Sequence, residues 1–177
     1  IYGKTVGIVG YGRLGRIAAR YIAAFGARVL ACGPELKQSE IEPGVTVVAF
    51  EKLLELSDIV SLHANLTAAN AGFFNAAALA RMKPTSFFIN TARGELVEEA
   101  ALLAALETGK LAGAALDVLA DESAAGMEDH PLVRYAREHE NLLITPHIGG
   151  NTWESREKTE LFLARKLLAI WPELTKS

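Results

Sequence analysis

Six residues, Gly10-Tyr11-Gly12-Arg13-Leu14-Gly15, constrain this chain more than any others. They lie between an apolar run, Thr5–Val9, and a helical pattern that begins at Arg13. In a strand–turn–helix frame, the first glycine permits the tight turn and the second lets backbone approach a pyrophosphate. The third lets the helix pack closely on the strand. The helix N-terminus then offers free N–H groups and a partial positive charge to phosphate oxygens. A second apolar run, Arg28–Cys32, follows Gly26 and completes the opening of a dinucleotide-binding unit.

The remaining chain keeps the same rhythm. Further strands are expected at Val45–Val48, Ile59–His63, Ser86–Asn90, Ala112–Val118 and Leu142–Thr145. Helices are expected at Arg13–Phe25, Phe50–Leu56, Ala76–Met82, Val97–Glu107, Leu132–Glu138 and Thr152–Ile170. Short strands rich in Val, Ile and Leu, alternating with helices, imply a parallel sheet buried on both faces. The expected fold is therefore α/β, a Rossmann-type doubly wound parallel sheet in three layers, with residues 1–177 as one dinucleotide-binding domain. One irregular stretch, Leu119–Pro131, is of a length that in compact domains usually serves function or mobility.

Composition narrows the partners. With 177 residues, 50% of them hydrophobic, the chain can bury one sizeable core. A net charge of −3 gives no basic footprint for nucleic acid. No apolar run reaches the ~18 residues of a membrane span, and no signal-peptide pattern opens the chain. The single Cys32 forms no internal disulfide, which suits the cytoplasm. Ile1 in place of methionine leaves two expectations, a processed chain or, as the favoured one, a piece of a longer protein. The expected partner is a small molecule, with no nucleic acid, no membrane and no metal.

The glycine pattern usually continues to an acidic residue at the end of the second strand, which binds the ribose hydroxyls. Here that position reads Cys32-Gly33-Pro34-Glu35. Without the acid, Glu35 or backbone must meet the hydroxyls, and the repulsion against a 2′-phosphate is gone. Lys37 is the cation that follows. NAD is the expected cofactor, with NADP left open.

Ligands of open α/β sheets bind beyond the C-terminal ends of the strands. There the sequence places His63, then Asn90–Gly94, then Asp117 and Glu122, then His147. Arg93 offers a planar fork that matches a carboxylate. His147 offers an imidazole, the side chain suited to exchanging a proton with a hydroxyl or carbonyl oxygen. Glu122 against its other ring nitrogen would fix the tautomer. Each has a plainer reading: Arg93 as a turn cap, Glu122 as a solvated loop charge, Asp117 as a strand-end acid. His63 and His130 carry no assignment, His139 reads as a solvated helix end, and Cys32 as a packing residue. A methyltransferase would use the same glycine turn but gives the Glu122–His147 pair no role.

"GKTVGIVGYGRLG", "MKPTSFFINTARGELVEEAALLAAL", "LAGAALDV" and "TPHIGG" resemble the cofactor domain of the D-isomer-specific 2-hydroxyacid dehydrogenases, the phosphoglycerate dehydrogenase-like family. The resemblance implies hydride transfer between a nicotinamide cofactor and a 2-hydroxy or 2-keto acid. It makes Arg93 the residue for the substrate carboxylate and Glu122–His147 the proton-relay pair. It makes Arg13 and Leu14 pyrophosphate contacts and Asp117 the holder of the nicotinamide carboxamide. Thr91, Ala92, Gly149 and Gly150 become backbone bordering the nicotinamide. Gly33, Pro34, Ala64, Asn65 and Thr67 complete the expected cofactor contacts. The chain departs from the family at Cys32-Gly33, where Tyr-Asp is usual, and at Asn65 and Ser123, where Pro is common. The likeness further implies a second, substrate-binding domain that is largely absent here, and a homodimer formed through residues 97–150. A non-enzymatic, nucleotide-sensing corepressor of the same fold is the alternative.

Overall fold

The computed structural model describes residues 1–34, 36–122 and 126–174. The short apolar runs form seven strands: β1 (Thr5–Val9), β2 (Arg28–Cys32), β3 (Val45–Val47), β4 (Ile59–Leu62), β5 (Phe87–Asn90), β6 (Gly113–Leu116) and β7 (Leu142–Ile144). Between and after them lie α1 (Arg13–Ala24), α2 (Phe50–Leu56), α3 (Ala76–Arg81), α4 (Glu99–Glu107), α5 (Pro131–Glu138) and α6 (Trp153–Leu174). All strand pairs are parallel, in the order β3-β2-β1-β4-β5-β6-β7. The chain runs outward from β1 to one edge, returns to β4, and runs to the other edge. That reversal, between β1 and β4, is where such sheets leave a crevice beyond the strand ends.

Register levels those ends. Val9 pairs with both Cys32 and Leu62, Leu62 with Asn90, Asn90 with Leu116, and Leu116 with Ile144. Gly10, Gly33, His63, Thr91, Asp117 and Thr145 therefore follow along one edge. The two-residue period of a strand sends alternate side chains to opposite faces. Val6, Ile8, Val29 and Ala31 join Ala19 of α1 in one apolar cluster. Val9, Leu30, Val60 and Leu62 join Leu53 and Leu54 of α2 in the other, where Phe74 stacks on Phe88 at 4.5 Å. The three-layer expectation holds.

Boundaries moved where a distant partner claimed a residue. Val97 was expected in α4 but bridges Phe74, and Glu98 N–H donates to Phe74 O at 3.1 Å. The helix therefore starts at Glu99, after a 3₁₀ turn at Gly94–Leu96. β6 ends at Leu116 instead of Val118: Asp117 N–H makes the last ladder bond, to Asn90 O, and its carboxylate is held from the side by Thr145. α5 begins at Pro131, whose missing N–H suits a first helical turn. In the stretch expected to be irregular, Met127–Asp129 forms a 3₁₀ turn. α6 runs past Ile170 to Leu174. Residues Ile1–Thr145 make one compact unit and Pro146–Ser177 a second.

Candidate functional site

The three glycines of the turn have different surroundings. Gly10 has φ +94°, and a Cβ there would lie 2.6 Å from Ala64 N and 2.7 Å from the His63 carbonyl carbon. The turns after β1 and β4 thus touch backbone to backbone at the switch point. A Cβ on Gly15 would meet Gly10 O at 2.2 Å, so helix and strand are already in contact. A Cβ on Gly12 would meet nothing within 4 Å. Gly12 caps α1, no side-chain cap bond is made among the described residues, and the first turn holds no acid. Uncapped N–H groups facing open space, with Arg13 beside them, fit a phosphate.

Above this turn opens a cleft of about 1170 Å³. Ordinary small-molecule pockets hold roughly 300–1,000 Å³, so its size suits an extended ligand. Its walls come from Gly10, Gly12, Arg13 and Leu14 after β1, and from Gly33 and Pro34 after β2. Ala64, Asn65 and Thr67 follow β4, and Thr91, Ala92 and Arg93 follow β5. Gly15 lies buried beneath the turn. Asp117 is buried at the end of β6, where its Oδ1 accepts a 2.5 Å bond from Thr145 Oγ1. Glu35 and Ser123 lie outside the described residues.

Several supporting residues carried no assignment in the sequence. Asn70 accepts from Thr67 N–H at 2.7 Å and donates to Asn65 O at 2.8 Å, tying the β4 loop into one turn. The Tyr11 hydroxyl donates to Glu42 Oε2 at 2.6 Å, and the Arg16 guanidinium lies 5.0 Å over its ring. Burial, then the Glu42 carboxylate, push this phenol up to about 12, while the same bond holds Glu42 below the usual carboxylate range. His63 lines the cleft with Nε2 2.9 Å from Ser61 Oγ, and burial holds its imidazole below the ordinary value. The Ser61–His63 pairing had a signal, because residues two apart on a strand share a face. His139 caps the end of α5, exposed and stacked on Tyr135. Cys32 is buried and its thiol is pushed up to about 12, as befits a packing residue.

Asn90 builds the loop that carries Arg93. Its Oδ1 accepts from Ala92 N–H at 2.9 Å and its Nδ2 donates to Arg93 O at 2.9 Å, an Asx-type turn. Arg93 is exposed at the cleft wall, with Nη1 donating to Ala92 O at 2.6 Å. Gly94 is buried against the next loop: a Cβ would lie 2.0 Å from the Leu119 carbonyl carbon. On that loop Asp121 has φ +53°, and exposed Glu122 accepts from Leu119 N–H at 3.3 Å. The Arg93 and Glu122 loops therefore adjoin. His147, Gly149 and Gly150 belong to the second unit. There His147 is exposed at φ +52°, and Asn151 N–H donates to Ile148 O at 3.1 Å. Among the described residues, no cluster of His, Cys, Asp or Glu could hold a metal ion, and no helix is long and apolar enough to cross a membrane.

Comparison with known proteins gives this arrangement a family. Residues 1–149 match the family model "D-isomer specific 2-hydroxyacid dehydrogenase, NAD binding domain". The chain is 40% identical over 159 residues to D-3-phosphoglycerate dehydrogenase of Mycobacterium leprae, covering 89% of this chain and 29% of that one. It is 40% identical over 171 residues to glyoxylate reductase of Pyrococcus furiosus, covering 96% and 49%. It spans half or less of the length of these relatives. Among solved structures, the NAD complex of a D-isomer specific 2-hydroxyacid dehydrogenase from Lactobacillus delbrueckii ssp. bulgaricus superimposes with TM-score 0.88 at 34% identity, covering 96% of this chain and 53% of that one. An acyclic imino acid reductase in complex with NADPH and D-Arg superimposes with TM-score 0.83 at 29% identity, covering 98% and 52%. The chain belongs to the D-isomer-specific 2-hydroxyacid dehydrogenase family of oxidoreductases and carries its NAD-binding domain.

Proposed function

We propose that this chain supplies the cofactor side, and the proton-handling and carboxylate-binding groups, of an enzyme that interconverts D-2-hydroxy acids and 2-keto acids. The observation that carries this reading is Arg93, placed on the wall of the same cleft that the glycine turn lines. A guanidinium fork there pairs with a substrate carboxylate. Gly10, Gly12, Arg13 and Leu14 would hold the pyrophosphate, and Gly33, Pro34, Ala64, Asn65 and Thr67 the adenosine half. Thr91, Ala92, Asp117, Gly149 and Gly150 would border the nicotinamide. When bound, the nicotinamide supplies or accepts the hydride. His147 would give the proton to the substrate oxygen in reduction and take it in oxidation, with Glu122 as the carboxylate of the relay. Gly33 in place of an acid leaves NADP as a second possible cofactor beside NAD. The same reading makes the protein cytoplasmic and a homodimer; sedimentation would test the dimer.

The experiment is steady-state reduction of a panel of 2-keto acids by NADH, in the protein at its full natural length. Arg93→Gln is expected to raise KM for the keto acid by about two orders of magnitude with NADH affinity unchanged. His147→Gln is expected to lower kcat by roughly 10²–10⁴-fold, the ordinary worth of a general acid–base group. Tight NADH binding with no turnover of any acid would instead favour a nucleotide-sensing interaction module.

A further inference from the structure

One carboxylate outside the cleft is hydrogen-bonded to the loop that carries Glu122. Glu99 is the first residue of α4, where the positive end of the helix dipole favours a negative charge. Its side chain is largely buried, at 17% exposure. Oε1 accepts from Ala120 N–H at 2.8 Å and Oε2 meets His130 Nε2 at 3.1 Å. His130 Nδ1 in turn accepts from Leu132 N–H at 3.3 Å, capping α5. Because Nδ1 accepts, the proton of a neutral ring sits on Nε2 and points at Glu99. The two oxygens of one carboxylate thus grip residues 120 and 130, ten positions apart in the chain.

The gripped peptide is the one on which the catalytic loops depend. The Ala120 amide is bonded to the carbonyl carbon of Leu119, the atom that fills the place of a Cβ on Gly94, next to Arg93. The Leu119 amide is the donor to Glu122. Fixing the 119–120 peptide sets the Leu119 carbonyl against Gly94, beside Arg93, and steadies the adjoining 118–119 peptide, whose N–H holds Glu122.

We infer that Glu99, acting with His130, is a positioning residue for the reaction: it holds the Leu119–Ala120 peptide so that Glu122 and Arg93 keep their places. The inference rests on the dehydrogenase reading for its effect on turnover, but the clamp itself can be read without any substrate. Glu99→Gln is nearly isosteric, yet it cannot serve both donors. Its single oxygen accepts one N–H, and its amide NH₂ then faces the other donor. His130→Asn keeps an N-cap acceptor for Leu132 while losing the reach to Glu99.

Two measurements test this. In the full-length protein, Glu99→Gln is expected to lower kcat per NADH-binding site by roughly 10- to 100-fold, the scale of a loss of about 1 Å in placement. NADH affinity should stay within about twofold, because the clamp lies outside the phosphate site. His130→Asn, which leaves the Ala120 bond, should cost less than Glu99→Gln. In this chain, hydrogen exchange should show the Ala120 amide at least about tenfold less protected in Glu99→Gln, with the Phe88 amide of β5 unchanged. Wild-type kcat per site in Glu99→Gln, or a loss confined to NADH affinity, would overturn the inference. So would undiminished protection at Ala120. If the wild type reduces no acid on the panel, the dehydrogenase reading fails, and exchange at Ala120 alone decides whether the clamp exists.

Discussion

Gly12 and Gly15 belong to one six-residue pattern, yet substitution by alanine should produce opposite signatures. At Gly15 a Cβ would stand 2.2 Å from Gly10 O and 3.3 Å from Ile8 Cγ2. The first contact must open by roughly 1 Å, and backbone on both sides leaves no flexible side chain to yield. A backbone contact this short takes the upper part of the ~1–3 kcal/mol that overpacking costs, about 2–3 kcal/mol, which outweighs the ~1 kcal/mol that Gly→Ala normally gains inside a helix. A net loss of about 1–2 kcal/mol would lower Tm by roughly 2–8 °C in a chain of this size. At Gly12 the Cβ meets no protein atom within 4 Å, and φ −78° is open to alanine. The poorer N-cap costs ~0.5–1 kcal/mol, and the stiffer unfolded chain returns about as much. Gly12→Ala should therefore melt within about 2 °C of wild type. The methyl does, however, add bulk at the cap of α1, where the proposed site brings the pyrophosphate against backbone. NADH affinity should fall at least about tenfold, or ~1.4 kcal/mol. Thermal melts and calorimetric titration of both variants read all of this. A Gly15→Ala variant as stable as wild type, or a Gly12→Ala variant with unchanged NADH affinity, would refute the reasoning.

Other expectations follow from the same geometry. Gly33→Asp should shift cofactor choice toward NADH by restoring a carboxylate that repels a 2′-phosphate, read as the ratio of NADH to NADPH dissociation constants. Its Cβ has room, with Tyr11 N at 3.8 Å and Leu36 Cβ at 3.9 Å. Cys32, with its thiol pushed up to about 12 by burial, should resist iodoacetamide at pH 8 in the folded chain and react once urea unfolds it. His63 is held below the ordinary 6.5 by burial, so the unfolded chain binds its proton first on acidification. Its contribution to stability is complete above about pH 6.5 and is lost as pH falls toward the folded value. Urea unfolding between pH 7.5 and 5 should show that decline, and His63→Asn should flatten it.

The parts of the fold that were legible in the sequence depend on local rules. The glycine turn could be read because each glycine answers a demand set within six residues, and the strands because burial on both faces leaves short unbroken apolar runs. Contacts between distant residues were not legible. Val97 looks helical until Phe74, far away in the chain, claims it as a bridge partner. Gly94 looks like turn punctuation, and nothing local shows that Leu119 lies against it. His130 had a signal that went unread, since a polar residue before Pro131 is an N-cap pattern. Its partner Glu99, thirty-one positions earlier, had none. The candidate site divides the same way: residues at strand ends could be named from periodicity, while Asn70, Asn90 and Glu99, which hold the loops in place, required the fold.

The central claim is that the dinucleotide lies across the switch point of the sheet, on the turns after β1, β2, β4 and β5. Titrating NADH into the isotope-labelled chain and following backbone amide shifts tests it most directly. The account predicts the largest shifts at Gly12–Leu14, Gly33, Ala64, Asn65, Thr91 and Ala92, with Gly26, Lys83 and Gly109 at the opposite end of the strands unmoved. Saturable shifts centred on that opposite end, or none at the glycine turn under saturating NADH, would contradict it.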